Sequence, residues 1–258
     1  MKKISVLNMK GGVGKTITAV HLAAGLARRG DRVLLIDADP QGTVGHALGV
    51  PATVTIREVL LGECRPEDAI VRTARENLHV LPASPAAFGV ERVLSQEEQP
   101  EEVLARRLQP LTGYDTVVVD TSPSMSLITF NALLYAQGLV IPVGMDQMAI
   151  IGARQTLNGV REVNQLWPKR RLEVLAVLPT FVNPFTVATR AALSALGQDP
   201  VLGPLLSSQG IRQCLDLTYA AARRQTIWEY APKSHAAEDF DLFVDAVREK
   251  RLRQPGRA

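Results

Sequence analysis

The densest group of chemically capable residues is the run Met9-Lys10-Gly11-Gly12-Val13-Gly14-Lys15-Thr16, directly after one apolar segment and directly before an Ala/Leu-rich one. Glycines let a backbone fold tightly around an anion so that successive N–H groups point inward, and the helix that follows adds its positive end. Phosphate is the natural guest. In such a loop Lys15 would reach the β- and γ-phosphates of a nucleotide and the Thr16 hydroxyl would hold Mg2+. A glycine-rich turn without a ligand is the alternative, and the order strand, loop, lysine, threonine, helix argues against it.

Two further apolar runs end in acids. Val33-Leu34-Leu35-Ile36-Asp37-Ala38-Asp39-Pro40-Gln41-Gly42 delivers Asp37 and Asp39, and Thr116-Val117-Val118-Val119-Asp120 delivers Asp120. Carboxylates at the carboxyl edge of an open α/β sheet lie where ligands bind, and can orient a water or hold the hydration shell of Mg2+. Asp120 would meet the ion through water. Turn or helix-capping aspartates before Pro40 are the plain alternative for the first pair.

The elements that must position these groups follow from short β-branched runs alternating with helical periodicity. Strands are expected at Ile4–Asn8, Arg32–Asp37, His79–Pro82, Thr116–Asp120, Leu139–Val143 and Leu172–Leu178. Helices are expected at Thr16–Arg29, Glu101–Leu111, Leu127–Ala136, Ile150–Leu166, Val187–Leu196 and Ala236–Lys250. The first helix closes on Arg28-Arg29-Gly30, cations and then a glycine stop, which makes strand, helix and strand one βαβ unit. The pattern predicts an α/β fold, a single doubly wound, mostly parallel sheet with helices on both faces, forming one domain over residues 1–258. Glu97-Glu98-Gln99-Pro100-Glu101-Glu102 reads as a solvated turn feeding a helix.

The loop departs from G-x-x-x-x-G-K-[ST] by Met9 in the place of the first glycine, and meets K-G-G-x-G-K-T in full. In this it resembles the deviant Walker A ATPases, the family of ParA, MinD and the nitrogenase iron protein. The resemblance implies ATP and Mg2+ as cofactors and a Mg-dependent ATPase that is slow unless stimulated. It also implies that Lys10 reaches across an ATP-bound homodimer to the other subunit's nucleotide. D-x-D-P-Q-G resembles the second ParA signature, by which Asp39 would position the attacking water and Asp37 would support the metal shell. Ile17 stands where many relatives place a second hydroxyl toward the α-phosphate. Asn183, in Leu178-Pro179-Thr180-Phe181-Val182-Asn183-Pro184, falls where relatives contact adenine; an Asn-Pro turn is the alternative. Phe185 and Ser122 replace an Arg and a Pro of the family pattern.

Ile211-Arg212-Gln213-Cys214-Leu215-Asp216-Leu217 and the stretch to Ser234 resemble the end of ParA proteins, where dimerisation makes a basic face for non-specific DNA. Arg212, Arg223, Arg224 and Lys233 are the cations available there, and each can equally be a solvated surface charge. The reading is thus a partitioning ATPase, cytoplasmic and nucleoid-associated, whose hydrolysis a ParB-like or other partner stimulates. A MinD-like membrane ATPase and a metabolic enzyme on the same scaffold are the alternatives. The sequence begins almost at its first strand, without the N-terminal DNA-binding extension of some plasmid relatives, so operator binding is not expected.

Composition narrows the field. The chain has 258 residues, 46% hydrophobic, and carries 29 Lys+Arg against 26 Asp+Glu, so any basic surface must be local. Apolar stretches reach about ten residues, short of the roughly 20 a membrane helix needs. The last helix mixes Phe240, Phe243, Val244 and Val247 with Glu238, Asp239, Asp241 and Asp245, a poor match for anionic lipid, and the basic tail 248–258 reads as a frayed end. Cys64 and Cys214 have no ligand spacing, which argues against zinc, a disulfide scaffold or an iron–sulfur cluster.

Overall fold

Runs of Val, Ile and Leu bounded by glycine and aspartate form strands β1 (Lys2–Val6), β2 (Val33–Asp37), β3 (Val71–Arg72), β4 (Leu78–Leu81), β5 (Thr116–Asp120), β6 (Gly138–Gly144) and β7 (Glu173–Thr180). The computed structural model describes residues 1–87 and 89–253, and the end of the basic tail lies outside them. All seven strands join one sheet in the order β3-β4-β2-β5-β1-β6-β7, parallel except for the edge pair of β3 with β4. β2, β5 and β6 are buried along their whole length, which explains why they read as unbroken apolar runs.

The helices are α1 (Lys15–Arg28), α2 (Thr43–Leu48), α3 (Ile56–Leu61), α4 (Pro66–Ala69), α5 (Val90–Leu94), α6 (Val103–Arg107), α7 (Leu127–Tyr135), α8 (Gln147–Leu166), α9 (Val187–Gln198), α10 (Asp216–Ala222), α11 (Ile227–Tyr230) and α12 (His235–Arg253). Alternate strand residues feed opposite layers. Val33, Leu35, Val80 and Val118 pack with α1 and with Phe240, Phe243 and Val244 of α12. Leu34, Ile36, Val117 and Val119 pack with α3, α6 and α7, and Leu139, Ile141 and Val177 with α8 and Leu196 of α9. Arg29 fastens α12 to the end of α1 through Asp241 (3.2 Å) and Asp245 (2.6 Å).

Some boundaries differ from expectation for visible reasons. β1 ends at Val6, two residues earlier than expected; beyond it the Leu7 N–H still donates to the Val140 carbonyl (3.1 Å) and the Asn8 amide donates to the Pro142 carbonyl (2.8 Å), at the mouth of the loop. β1 and β2, joined through α1 in one βαβ unit, are not neighbours in the sheet, because β5 lies between them. The segment expected as a helix over Glu101–Leu111 is a 3-10 turn, Pro100–Glu102, followed by the short α6. Asn131 of α7 holds this corner, accepting from the Leu104 N–H and donating to the Pro100 carbonyl.

Candidate functional site

The phosphate loop is built as an anion receptor. Gly12 and Gly14 take positive φ angles of 75° and 83°, and nothing lies within 4 Å of where a Cβ on Gly11 or Gly12 would stand. Gly14 caps α1 with no side-chain hydrogen bond, so the first-turn N–H groups of a largely buried helix are not consumed by a capping side chain. The loop is pinned on every side. Asn8 Oδ1 accepts from the Lys10 N–H (2.9 Å), Thr156 of α8 accepts from the Met9 N–H (3.1 Å), and Thr180 at the end of β7 donates to the Val13 carbonyl (2.9 Å). Gly152 lets α8 come close: a Cβ there would meet Asn8 Oδ1 at 2.6 Å and the Lys10 N at 3.1 Å.

Lys15 is only 7% exposed and its ammonium donates to the Lys10 carbonyl (3.1 Å). Burial pulls its pKa down, while Asp120 and Asp39 pull it back up. The Lys10 side chain, by contrast, stands exposed at the lip. Ile17 packs against the core under the loop, which accounts for an apolar residue where a hydroxyl was expected.

The acids arrive by strand register. β2 pairs with β5 so that Asp37 lies beside Asp120, both fully buried. The Thr16 hydroxyl donates to Asp120 Oδ2 (2.7 Å) and also meets Thr43 Oγ1 (3.0 Å). Asp120 Oδ1 is buried with no hydrogen-bond partner, an open carboxylate oxygen aimed at no protein group. Burial pushes the Asp120 pKa up to about 7 against the hydrogen bond from Thr16, and burial followed by repulsion from Asp120 pushes that of Asp37 up as well. Two buried carboxylates side by side, with a hydroxyl between strand and loop, fit a hard oxygen-liganded ion such as Mg2+ completed by phosphate and water. Among the described residues no cluster of three His, Cys, Asp or Glu side chains is found that could hold a metal.

Asp37 also does what the turn reading assigned: its oxygens accept from the N–H groups of Asp39 (3.1 Å) and Val44 (3.0 Å). Asp39 is half-buried and accepts from the Gln41 N–H (2.9 Å). Both aspartates thus hold the turn after β2.

Comparison with known proteins fits this geometry. Residues 1–174 match the family described as an AAA domain. The chain is 35% identical to the chromosome-partitioning ATPase Soj of Thermus thermophilus over 96% of this chain and 95% of that protein. It is 40% identical to the sporulation initiation inhibitor protein Soj of Bacillus subtilis over 96% of this chain and 97% of that one. This chain belongs to the ParA/MinD family of P-loop ATPases. Among solved structures, a cobyrinic acid a,c-diamide synthase from Mycobacterium smegmatis with a bound ATP analogue and magnesium superposes with a TM-score of 0.85 at 31% identity, covering 98% of this chain and 96% of that one.

Against that family pattern the remaining expected residues fall in different surroundings. Asn183 sits at the site's margin in a turn, its Oδ1 accepting from the Phe185 N–H (3.1 Å) and its amide facing Gln213 Oε1 (3.4 Å). Arg212 is engaged in an ion pair with Asp239 (2.7 Å), which is fully buried, and with Glu238 (2.9 Å). Arg223, Arg224 and Lys233 are exposed, with the Arg223 guanidinium over the Tyr230 ring. Sequence reasoning missed Asn8, Thr43, Gly152, Thr156 and Phe181. The Phe181 ring lies 3.2 Å from where a Gly14 Cβ would stand, and its backbone takes a positive φ of 55°. Thr43, directly after D-P-Q-G, Asn8, directly before the glycine-rich run, and Phe181, within Leu178–Pro184, stood next to a motif, whereas Gly152 and Thr156 did not.

Proposed function

We propose that this ParA/MinD-family protein is a ParA-like partitioning or positioning ATPase, folded as one ATPase domain over residues 1–258. ATP and Mg2+ occupy the phosphate loop, and the ATP-bound form is a sandwich homodimer. The observation that carries the reading is the pinned loop with Lys15 buried inside it and Lys10 exposed at its lip, in a chain so similar along its length to two Soj proteins. The backbone N–H groups of Gly11 to Thr16 and the Lys15 ammonium would cradle the phosphates, Thr16 would hold the cation with Asp37 and Asp120 acting through water, and Asp39 would orient the attacking water. Mg2+ when bound would supply charge neutralisation for the phosphates. Phosphoryl transfer depends on such positioning, so a site awaiting a partner's contribution is slow.

The dimer would bind non-specific DNA through Arg223, Arg224 and Lys233, with Arg212 holding the segment in shape, and a ParB-like or other partner would stimulate hydrolysis and release. A cytoplasmic, nucleoid-associated place follows from this reading. Among the described residues no helix is long and apolar enough to cross a membrane. Phe240, Phe243, Val244 and Val247 of α12 are buried in the core, so they are not free for a lipid interface, which disfavours the MinD-like alternative. The M. smegmatis synthase supports the ATP and magnesium part of the reading, while D-P-Q-G and the two Soj proteins favour partitioning over metabolic ligation.

Light scattering with ATP tests the reading. Wild type should become a dimer, Lys10→Ala should remain a monomer while still binding nucleotide, and Asp39→Ala should stay dimeric because it fails to hydrolyse. A Lys10→Ala protein that dimerises as well as wild type would sink the assignment.

A further inference from the structure

A cavity lies away from the nucleotide loop. It has a volume of about 280 Å3 and is lined by Arg32, Arg72, His79 and Tyr114, with Glu67, Ile70, Leu111 and Thr112 completing the walls. Its residues come from the start of the strands whose other ends carry the nucleotide acids: Arg32 and Tyr114 stand just before β2 and β5, so the cavity opens at the opposite edge of the sheet from Asp37 and Asp120.

Strand pairing makes the cluster. The two-residue strand β3 runs antiparallel to β4 and places Arg72 directly across from His79, so both side chains share a face. His79 Nδ1 lies 2.8 Å from the Tyr114 hydroxyl, with the rings edge to face. The Arg32 guanidinium rests against Gly113, whose Cβ would meet its Nη2 at 3.3 Å and whose φ of +84° suits glycine. Neither Arg32 nor Arg72 takes part in an ion pair among the described residues, whereas the nearby Arg65 and Arg75 are paired with Asp68 and Glu229. Both guanidinium charges act on His79: burial first, then Arg72 and Arg32, hold its pKa below the ordinary value. Burial raises the pKa of Tyr114, with Arg32 and Arg72 working against it and Glu67 with it.

Two guanidinium groups, a histidine and a phenol line this cavity, which lies near the small end of the ligand-pocket range, and its cations outnumber its one carboxylate, Glu67. We propose that this cavity is a second anion site, separate from the nucleotide loop, that takes a small phosphate-class dianion such as inorganic phosphate or a phosphomonoester. The guanidinium groups of Arg32 and Arg72 bind its oxygens, and the His79–Tyr114 pair forms the floor.

The full chain, nucleotide-free, is titrated with inorganic phosphate while the His79 imidazole is followed by NMR. The expected result is a saturable movement of the His79 signals with a midpoint below about 1 mM, accompanied by a rise in the His79 pKa. The Arg72→Ala variant should weaken the midpoint at least tenfold and Arg72→Lys should restore part of it. Lys15→Ala, which removes the phosphate loop's own lysine, should leave the His79 response intact. Movement that does not saturate by tens of millimolar marks an adventitious ion only and overturns the proposal. So does a His79 response lost in Lys15→Ala, and so does a response to duplex DNA without one to phosphate, which would make the cavity a nucleic-acid contact. If Arg72→Ala disturbs folding, Arg32→Ala provides the same comparison from the other wall.

Discussion

His21 links the nucleotide-binding helix to the C-terminal helices, and its chemistry predicts a specific pH dependence of stability. It is buried in α1, its Nε2 accepting from the Ile227 N–H (3.0 Å) and its Nδ1 facing the Ile17 carbonyl (2.8 Å), with the ring stacked on Phe240 at 4.5 Å. A backbone N–H can only donate, so Nε2 carries no proton and Nδ1 donates to Ile17. Protonating Nε2 would break the Ile227 contact and bury a charge. Burial accordingly lowers the pKa from 6.5 to about 4, outweighing the Ile17 hydrogen bond and the pull of Glu229. Because the folded-state value lies below the unfolded one, the unfolded chain takes up the proton first. The stabilisation is complete above pH 6.5 and is lost as pH falls toward 4. At about 1.4 kcal/mol per unit, the full separation is worth about 3 kcal/mol, of which about 2 kcal/mol disappears between pH 7 and pH 5. Urea unfolding of the nucleotide-free protein at pH 5, 6 and 7, in wild type and in His21→Gln, isolates this contribution from that of the carboxylates. The wild-type advantage should shrink by about 2 kcal/mol from pH 7 to pH 5. A difference that stays constant across this range would refute the assigned tautomer and its energetics.

Other perturbations read other parts of the account. In Gly152→Ala the new methyl group would stand 2.6 Å from Asn8 Oδ1 and displace the loop; nucleotide titration should show affinity reduced about tenfold, or about 1.4 kcal/mol, with helical content unchanged by circular dichroism. In Asp120→Ala the gain in nucleotide affinity on adding Mg2+ should vanish while magnesium-free binding persists, as read by calorimetry. Arg212→Ala leaves the buried Asp239 without its cation and should cost about 3 kcal/mol in urea unfolding, so lost DNA binding in that variant alone would not make Arg212 a phosphate contact.

Much of the site was legible because its residues lie at ends of strongly patterned runs. Gly11 to Thr16, Asp37 and Asp120 follow continuous apolar strands, and the sheet brings their carboxyl ends together by register. The same logic located six of the seven strands to within two residues at each end, β6 among them, and missed only β3. What escaped was set by contacts between distant segments. Asn8, Thr156 and Gly152 matter because α8 crosses the loop, and no local pattern announces that. β3 has only two residues, too few for periodicity, yet it makes the Arg72–His79 pair. Arg212 looked like a free cation because its partners, Glu238 and Asp239, belong to a helix 26 and 27 residues further along the chain.

The central claim is a nucleotide-switched grip on DNA, and the most direct test is binding of random-sequence duplex DNA by the purified protein with ATP, with ADP and without nucleotide, at two salt concentrations. The account predicts binding with ATP alone, indifferent to sequence and weakened by salt as counterion release requires. Equal binding in all three nucleotide states, or none with ATP under conditions where the dimer forms, would contradict it.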